Sequence, residues 1–422
     1  MLGQLFIKEC RQTAKSLIFW LTVLILIFVF TSQLGEMEIK TEPKPGQGSY
    51  EGYGHQVSDD PEMIMKSVLG QLIEEYCRRN YTTYPIGFYK RVTPNQQEEQ
   101  RIGEILKETT GIGSRDEADR VREEWYSAFN TMTGDAIETA YSGSLTVEPA
   151  VGLTYDHFIE LMDELDGILG GGSKYSKQYL GKNAEVPLTY EDASRAYQNL
   201  IEKDRLAGGY ARMFSDYMGI FLGMLPVFLA VTRGLRDRRT RMQELIYTRK
   251  CASVTIIASR YLSMLVMLTL PVLALSVIPL SKCIRYANTE GIAVDMLAFA
   301  KYTFGWLLPT IMITVALGMF LTELTDTAAA VLVQGAWWFI SIFAGVKNLK
   351  GGQYGWSLIP RHNTEMNWQG FHEGFAQLAA NRVLYAAAAL LLVVLTAYIY
   401  SQKRKGRLDI RGKILANRKS KS

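Results

Sequence analysis

The residues best suited to chemistry are few, and their spacings are near misses. Gly167-Ile168-Leu169-Gly170-Gly171-Gly172-Ser173-Lys174 approaches a phosphate-cradling loop. Such a loop needs Lys before Ser or Thr, so that an ammonium and a hydroxyl meet the phosphates and their magnesium; here Ser comes first. The segment reads as a flexible turn. His372-Glu373 opens like a zinc-hydrolase helix, but the position four after the His is Ala376 rather than a second ligand, so the default is a helical surface pair. His55, His157 and His362 complete the histidines, and their scatter gives no metal-ligand spacing. Asp163, Glu164 and Asp166 cluster on one helical stretch, the usual pattern of a solvated face. No catalytic, cofactor-binding or metal-binding set emerges, and the chain reads as a non-enzyme.

The elements that would have to position any site carry a stronger signal. Six continuously apolar runs occupy roughly 17–34, 213–232, 252–280, 299–321, 328–346 and 379–400. About 20 apolar residues span a bilayer core as a helix. Helices are expected over strands because the runs do not alternate and a helix satisfies its own backbone in lipid. The first run follows a basic stretch but is longer than a signal-peptide core and lacks a small-x-small cleavage site, so it is expected to remain as an anchor. The expected fold is an all-α polytopic membrane protein with six transmembrane helices and a large, mainly α-helical extracytoplasmic domain between the first and second.

Charge sets the expected orientation. Lys8, Arg11 and Lys15 precede the first run, Arg233, Arg236, Arg238, Arg239, Arg241, Arg249 and Lys250 follow the second, and a basic tail at 401–422 follows the sixth. Positive residues near spans mark the cytoplasmic side. Both termini are therefore expected to be cytoplasmic, in a multi-pass protein of a bacterial plasma membrane. The connection at 322–327 is expected inside too, although it carries only Glu323 and Asp326. The segment 36–210 holds 31 Asp and Glu against 18 Lys and Arg, and the remainder 28 Lys and Arg against 11 Asp and Glu. An acidic outside and a basic inside hide beneath a net charge of +4. Basic clusters flanking spans are accounted for by lipid headgroups and topology, which argues against nucleic-acid binding.

The insert, 35–210, is long enough to bury its own core. A Gly- and Pro-rich leader at 36–58 precedes helical stretches expected near 59–79, 95–109, 114–131, 154–169 and 189–206. Asp60-Pro61 is an N-cap followed by Pro in the first turn. Gly208-Gly209 is the expected joint to the second span. Cys10 and Cys251 are expected inside, Cys77 and Cys283 outside, where a bridge between the latter two is open but no disulfide framework exists.

Between spans two and three, Leu235, Met242, Leu245 and Ile246 recur at helical spacing opposite basic residues, an amphipathic surface helix at about 234–252. The alternative is a plain charged loop that fixes topology; the apolar face Met242-Gln243-Glu244-Leu245-Ile246-Tyr247 exceeds that need. Between spans five and six, residues 350–378 mix aromatics with polar groups, as either an interfacial or re-entrant segment or an ordinary aromatic belt would. Pro226, Pro271 and Pro309 lie within spans, as hinges or tolerated kinks. Gln334, Arg212 and Asp216 are the polar candidates in or near the spans, each equally a helix contact or interface anchor.

On these features the chain resembles the permease subunits of ABC exporters of the ABC-2 type. The likeness rests on a basic amphipathic N-terminal helix (1–16), the insert after span one, and the cytoplasmic helix whose Glu244-Leu245, Thr248 and Ala252-Ser253 match the family's acidic-Leu, Thr and small-residue pattern; the usual Pro after the Thr is replaced by Arg249 or Lys250. The resemblance implies that Arg238, Arg241, Met242, Glu244, Leu245, Ile246 and Thr248 dock on a cytoplasmic ATPase subunit. ATP and Mg would be bound by that partner, since this chain has no ATP motif. It also implies a second permease as homodimer or related heterodimer, and export of an amphipathic peptide, drug or lipid. The alternative class is a membrane sensor with a ligand-binding outer domain and no transport.

Overall fold

The computed structural model describes residues 2–46, 50–57, 60–83, 90–130, 145–177, 179–180, 185–239, 247, 251–345 and 349–407. They form two compact units, 40–197 and the combination of 1–39 with 198–422. Helix α1 (Leu2–Ala14) is amphipathic and buries Glu9 and Thr13. After Ser16 the chain enters α2 (Leu17–Leu34), apolar throughout.

In the insert, β1 (His55–Val57) precedes α3 (Pro61–Arg78), which starts where Asp60 accepts a hydrogen bond from the Glu62 N–H at 3.2 Å. Strands β2 (Tyr81–Thr83) and β3 (Lys90–Val92) pair antiparallel. Helix α4 (Gln96–Thr110) opens with a reciprocal cap: Asn95 accepts from the Glu98 N–H at 3.0 Å while Glu98 accepts from the Asn95 N–H at 2.8 Å. Helices α5 (Arg115–Asn130) and α6 (Tyr155–Ile168) follow, then β4 (Glu185–Pro187), antiparallel to β1, and α7 (Tyr190–Glu202). The core is drawn from the inward stripes of α3, α4 and α6: Leu69, Leu72, Ile73, Ile102, Ile105, Phe158, Met162 and Leu165. The helices lie close to the stretches read from sequence. The two short strand pairs were not expected, because three-residue strands show no usable alternation.

The second part of the membrane unit holds α8 (Ala207–Leu222), α9 (Leu225–Arg239) and α10 (Ser253–Glu290). It continues with α11 (Ala298–Tyr302), a wide π turn at Thr303–Leu307, α12 (Leu308–Thr325), α13 (Ala329–Gly345) and α14 (Trp368–Arg404). Among the described residues five helical segments are long and apolar enough to cross a membrane: Leu17–Leu34, Ala207–Arg236, Ser253–Glu290, Ala298–Thr325 and Trp368–Arg404. The unit is membrane-embedded in character. The fifth expected span coincides with α13, which is apolar but at 17 residues is shorter than the five.

Two local readings are corrected. Gly208-Gly209 is no joint, since both lie inside α8; the chain turns instead at Arg205 and Leu206, with φ of 46° and 57°. Span two is interrupted at Gly223-Met224, because Pro226 has no N–H to continue the ladder. Helix α13 takes up carbonyls at this break: Gln334 Nε2 donates to the Gly223 carbonyl at 2.5 Å, and Trp338 Nε1 to the Ile220 carbonyl at 2.7 Å. That resolves Gln334 as a helix-to-helix contact, which lipid demands of any opened backbone.

Candidate functional site

At one end of the bundle the chain between α13 and α14 folds back among the helices as an irregular strap, 349–367. Glycines admit it. A Cβ on Gly209 of α8 would lie 2.4 Å from the Glu365 carbonyl oxygen, and one on Gly374 of α14 would lie 2.4 Å from that of Gly352. Leu358 and Ile359 are buried, so the strap is packed interior rather than a surface belt. Its aromatic and polar mixture is thereby explained: Tyr354 is buried edge-on against Trp306, while Trp356 stays exposed.

Charged side chains fix the strap to three helical segments. Asp216 of α8 accepts from Arg361 Nε and Nη2 at 2.8 and 2.9 Å and from the His362 backbone N–H at 2.7 Å. One turn earlier, Arg212 donates to both Asp204 oxygens at 2.5 Å, reaches the Glu365 carbonyl at 3.4 Å and lies 4.6 Å above the Phe371 ring. From α14, Arg382 donates to the Trp306, Ser357 and Leu358 carbonyls, to Thr310 Oγ1 at 2.7 Å and to Asn381 Oδ1. Asn381 in turn donates to the Gly355 and Ser357 carbonyls at 2.9 and 3.0 Å. These bonds satisfy backbone groups that have no secondary structure to satisfy them, as buried irregular chain requires.

His362 lies within this cluster, fully buried, its Nδ1 2.8 Å from the Tyr354 hydroxyl and its Nε2 without a partner among the described residues. Burial, and then the nearby Arg212 guanidinium, push its pKa well below the ordinary histidine value, so the ring is neutral. Burial raises the Asp204 pKa against the opposing pull of Arg212.

At the other end, ion pairs gather the helix ends. Glu9 of α1 is buried against Arg233 of α9 and lies 3.6 Å from Arg260 of α10. Lys403, near the end of α14, reaches Asp326 at 2.5 Å and Glu323 at 3.6 Å, both at the end of α12. The acidic connection read at 322–327 is thus neutralised by the basic tail. Arg404 donates to the Tyr247 and Cys251 carbonyls at 2.8 and 2.5 Å, and Tyr247 meets Tyr400 edge-to-face. Of the residues expected to dock a partner, Arg238 belongs to the last turn of α9. Arg241, Met242, Glu244, Leu245, Ile246 and Thr248 lie outside the described residues.

The remaining sequence candidates resolve as structure. Gly170, Gly171 and Gly172 all have positive φ, and the Asp166 carboxylate accepts from the Ser173 N–H at 2.7 Å, the kind of donor a phosphate would need. Glu164 accepts two hydrogen bonds from Arg101, whose third goes to Glu104, and Asp163 pairs with Lys177 at 3.0 Å. His157 sits between Glu108 and Glu160, and hydrogen bonding to Glu108 raises its pKa. His372 stacks on Trp368. All four cysteines are free, so Cys77 and Cys283 do not pair. Among the described residues no metal-holding cluster occurs.

Arg361, Arg382, Asp204 and His362 did not stand out in the sequence. For Arg382 a signal existed: a guanidinium inside an apolar run is costly and marks a partnered position. Asp204, Arg361 and His362 lie outside the apolar runs and carried none.

Comparison with known proteins adds the family and little else. No curated protein and no solved structure matches the chain. Residues 176–405, more than half of the chain, match one family model. The match runs from the end of the insert through the strap to the end of α14, so the chain belongs to the family described as protein of unknown function (DUF2705).

Proposed function

We propose that this chain is the membrane-spanning permease subunit of an ATP-driven exporter of the ABC-2 type, with six spans, counting α13, and both termini cytoplasmic. The observation that supports this reading best is Glu9, buried between Arg233 and Arg260. It ties an amphipathic N-terminal helix to the ends of α9 and α10 from which the basic 240–250 connection departs. A membrane-surface helix locked by buried charge to two spans is a rigid seat for a cytoplasmic partner. Motion imposed there reaches the spans directly.

In this reading, separate ATPase subunits bind ATP and Mg and grip the 240–250 connection through Met242, Leu245 and Ile246. Arg238, Arg241, Glu244 and Thr248 belong to the same docking set. Two permease chains, identical or related, form the pathway, and the cargo is an amphipathic peptide, drug or lipid. The insert faces the extracytoplasmic side of a bacterial plasma membrane.

The test is purification of the full-length chain in mild detergent, mass spectrometry of what accompanies it, and an ATPase assay on wild type and Leu245→Asp. A co-purifying ATP-binding subunit lost with Leu245→Asp supports the assignment. An ATPase that stays bound and active with Leu245→Asp overturns the docking role, and the absence of any ATPase across several detergents favours a sensor.

A further inference from the structure

A cleft of about 300 Å³ opens between α13 and the strap. Among the described residues no carboxylate lines it. Its side chains able to donate include Arg361, Ser341 and the exposed amide of Gln353, while the Ser357 hydroxyl is taken up within the strap. Arg361 is buried and commits Nε and Nη2 to Asp216, which leaves Nη1 without a hydrogen-bond partner among the described residues. The Ser341 hydroxyl and the Gln353 amide are likewise unpartnered among them. A guanidinium N–H converging with a hydroxyl and an amide, and no carboxylate beside them among the described residues, suits an anionic oxygen.

Two further observations narrow the ligand. Around the strap Arg212 pairs with Asp204 and Arg361 with Asp216, whereas among the described residues Arg382 is held by neutral acceptors and by the Tyr385 ring. A buried guanidinium held by neutral groups is costly at the edge of an apolar bundle. Beside the cleft, α13 exposes Phe339, Ile340 and Phe343, each more than half accessible. Trp337 and Trp356 line the cleft itself, the side chains that favour the headgroup level of a bilayer. A ligand with one negative charge at one end and hydrocarbon at the other fits both features, and a free anion fits only the first.

We propose that this cleft binds the phosphodiester headgroup of a membrane phospholipid, with the acyl chains along the exposed face of α13. Arg361 Nη1, Ser341 and Gln353 supply the donors, and the lipid charge lies beside the strap whose carbonyls hold Arg382. This stands on the membrane character of the unit and not on the exporter reading.

The test uses full-length protein extracted from vesicles of phosphatidylcholine and phosphatidylglycerol, with native mass spectrometry to count retained lipid. Gln353 is exposed, so Gln353→Glu and Gln353→Lys are expected to fold, with thermal unfolding as the control. Wild type should retain phosphatidylglycerol, Gln353→Glu should lower that retention about tenfold, and Gln353→Lys should raise it. Excess inorganic phosphate should leave the lipid in place. Equal retention by wild type and both variants overturns the site, and displacement by inorganic phosphate shows a free-anion site instead of a lipid one.

Discussion

Asp216 and Arg361, 145 positions apart, form a bidentate pair at 2.8 and 2.9 Å whose third partner is the backbone N–H of His362. One carboxylate therefore holds both a side chain and the main chain of the strap against α8. Removing one member of a buried pair leaves the other charge uncompensated, at about 3–5 kcal/mol. Asp216→Asn should lower the thermal midpoint and open the strap to protease, whereas Asp216→Leu combined with Arg361→Met should recover much of the loss. If the double variant is as unstable as Asp216→Asn, the His362 N–H bond and not the ion pair dominates.

The break at Pro226 predicts a coupled pair of losses. Trp338→Phe and Gln334→Leu each leave an α8-end carbonyl unmet in an apolar setting, at about 1–2 kcal/mol. Adding Pro226→Ala, which lets the helix run on so that the Val227 N–H, now on the Met224 carbonyl, can turn to that of Gly223, should shrink the Gln334→Leu effect. Denaturation of the four variants in detergent gives the coupling; strict additivity would mean that α13 does not serve the break.

His362 makes the strap acid-sensitive. The unfolded chain takes up a proton near the ordinary histidine value while the buried ring does not, so stability is full above that value and falls as pH drops below it. Hydrogen exchange in peptides covering the strap, corrected for intrinsic rates, should speed up between about pH 7.5 and pH 5.5. His362→Gln should flatten that difference, and an unchanged slope in the variant would assign the sensitivity elsewhere.

Glu75 predicts the opposite slope in the insert. Burial raises its pKa, only partly offset by the hydrogen bond from the Tyr175 hydroxyl at 2.8 Å. The folded state therefore holds the proton more tightly than the unfolded one, and stability falls as pH rises from the ordinary glutamate value through the raised one. Glu75→Gln keeps an acceptor for Tyr175 and avoids the charge. It should slow hydrogen exchange in α3 at neutral pH and leave it unchanged in acid, and faster exchange in Glu75→Gln at neutral pH would show that the ionised form is needed.

How much of this was legible depended on how local the cause was. The apolar runs announced the long apolar helices because lipid imposes continuous hydrophobicity, and Asp60-Pro61 announced a helix start because a cap acts within a few residues. Gly208-Gly209 misled. Glycine punctuation looks alike whether it serves a turn or, as at Gly209, the approach of a distant backbone. The strap was half visible as an aromatic and polar stretch, but its ties to Asp216 and Arg382 join positions far apart in the chain, and no periodicity encodes them. Arg382 lay in plain sight within an apolar run, and only its partners were hidden.

The π turn at Thr303–Leu307 works as a phase adjuster. Residues of an α-helix advance about 100° each around the axis, so one extra residue in a turn rotates everything after it relative to everything before. Upstream of that turn Tyr302 must face Arg212; downstream, Thr310 must face Arg382 and Glu323 must face Lys403. Deleting a single residue there would leave each half of the helix intact and put the two out of step, so that the segment could meet its neighbours at one end of the bundle or the other, but not at both.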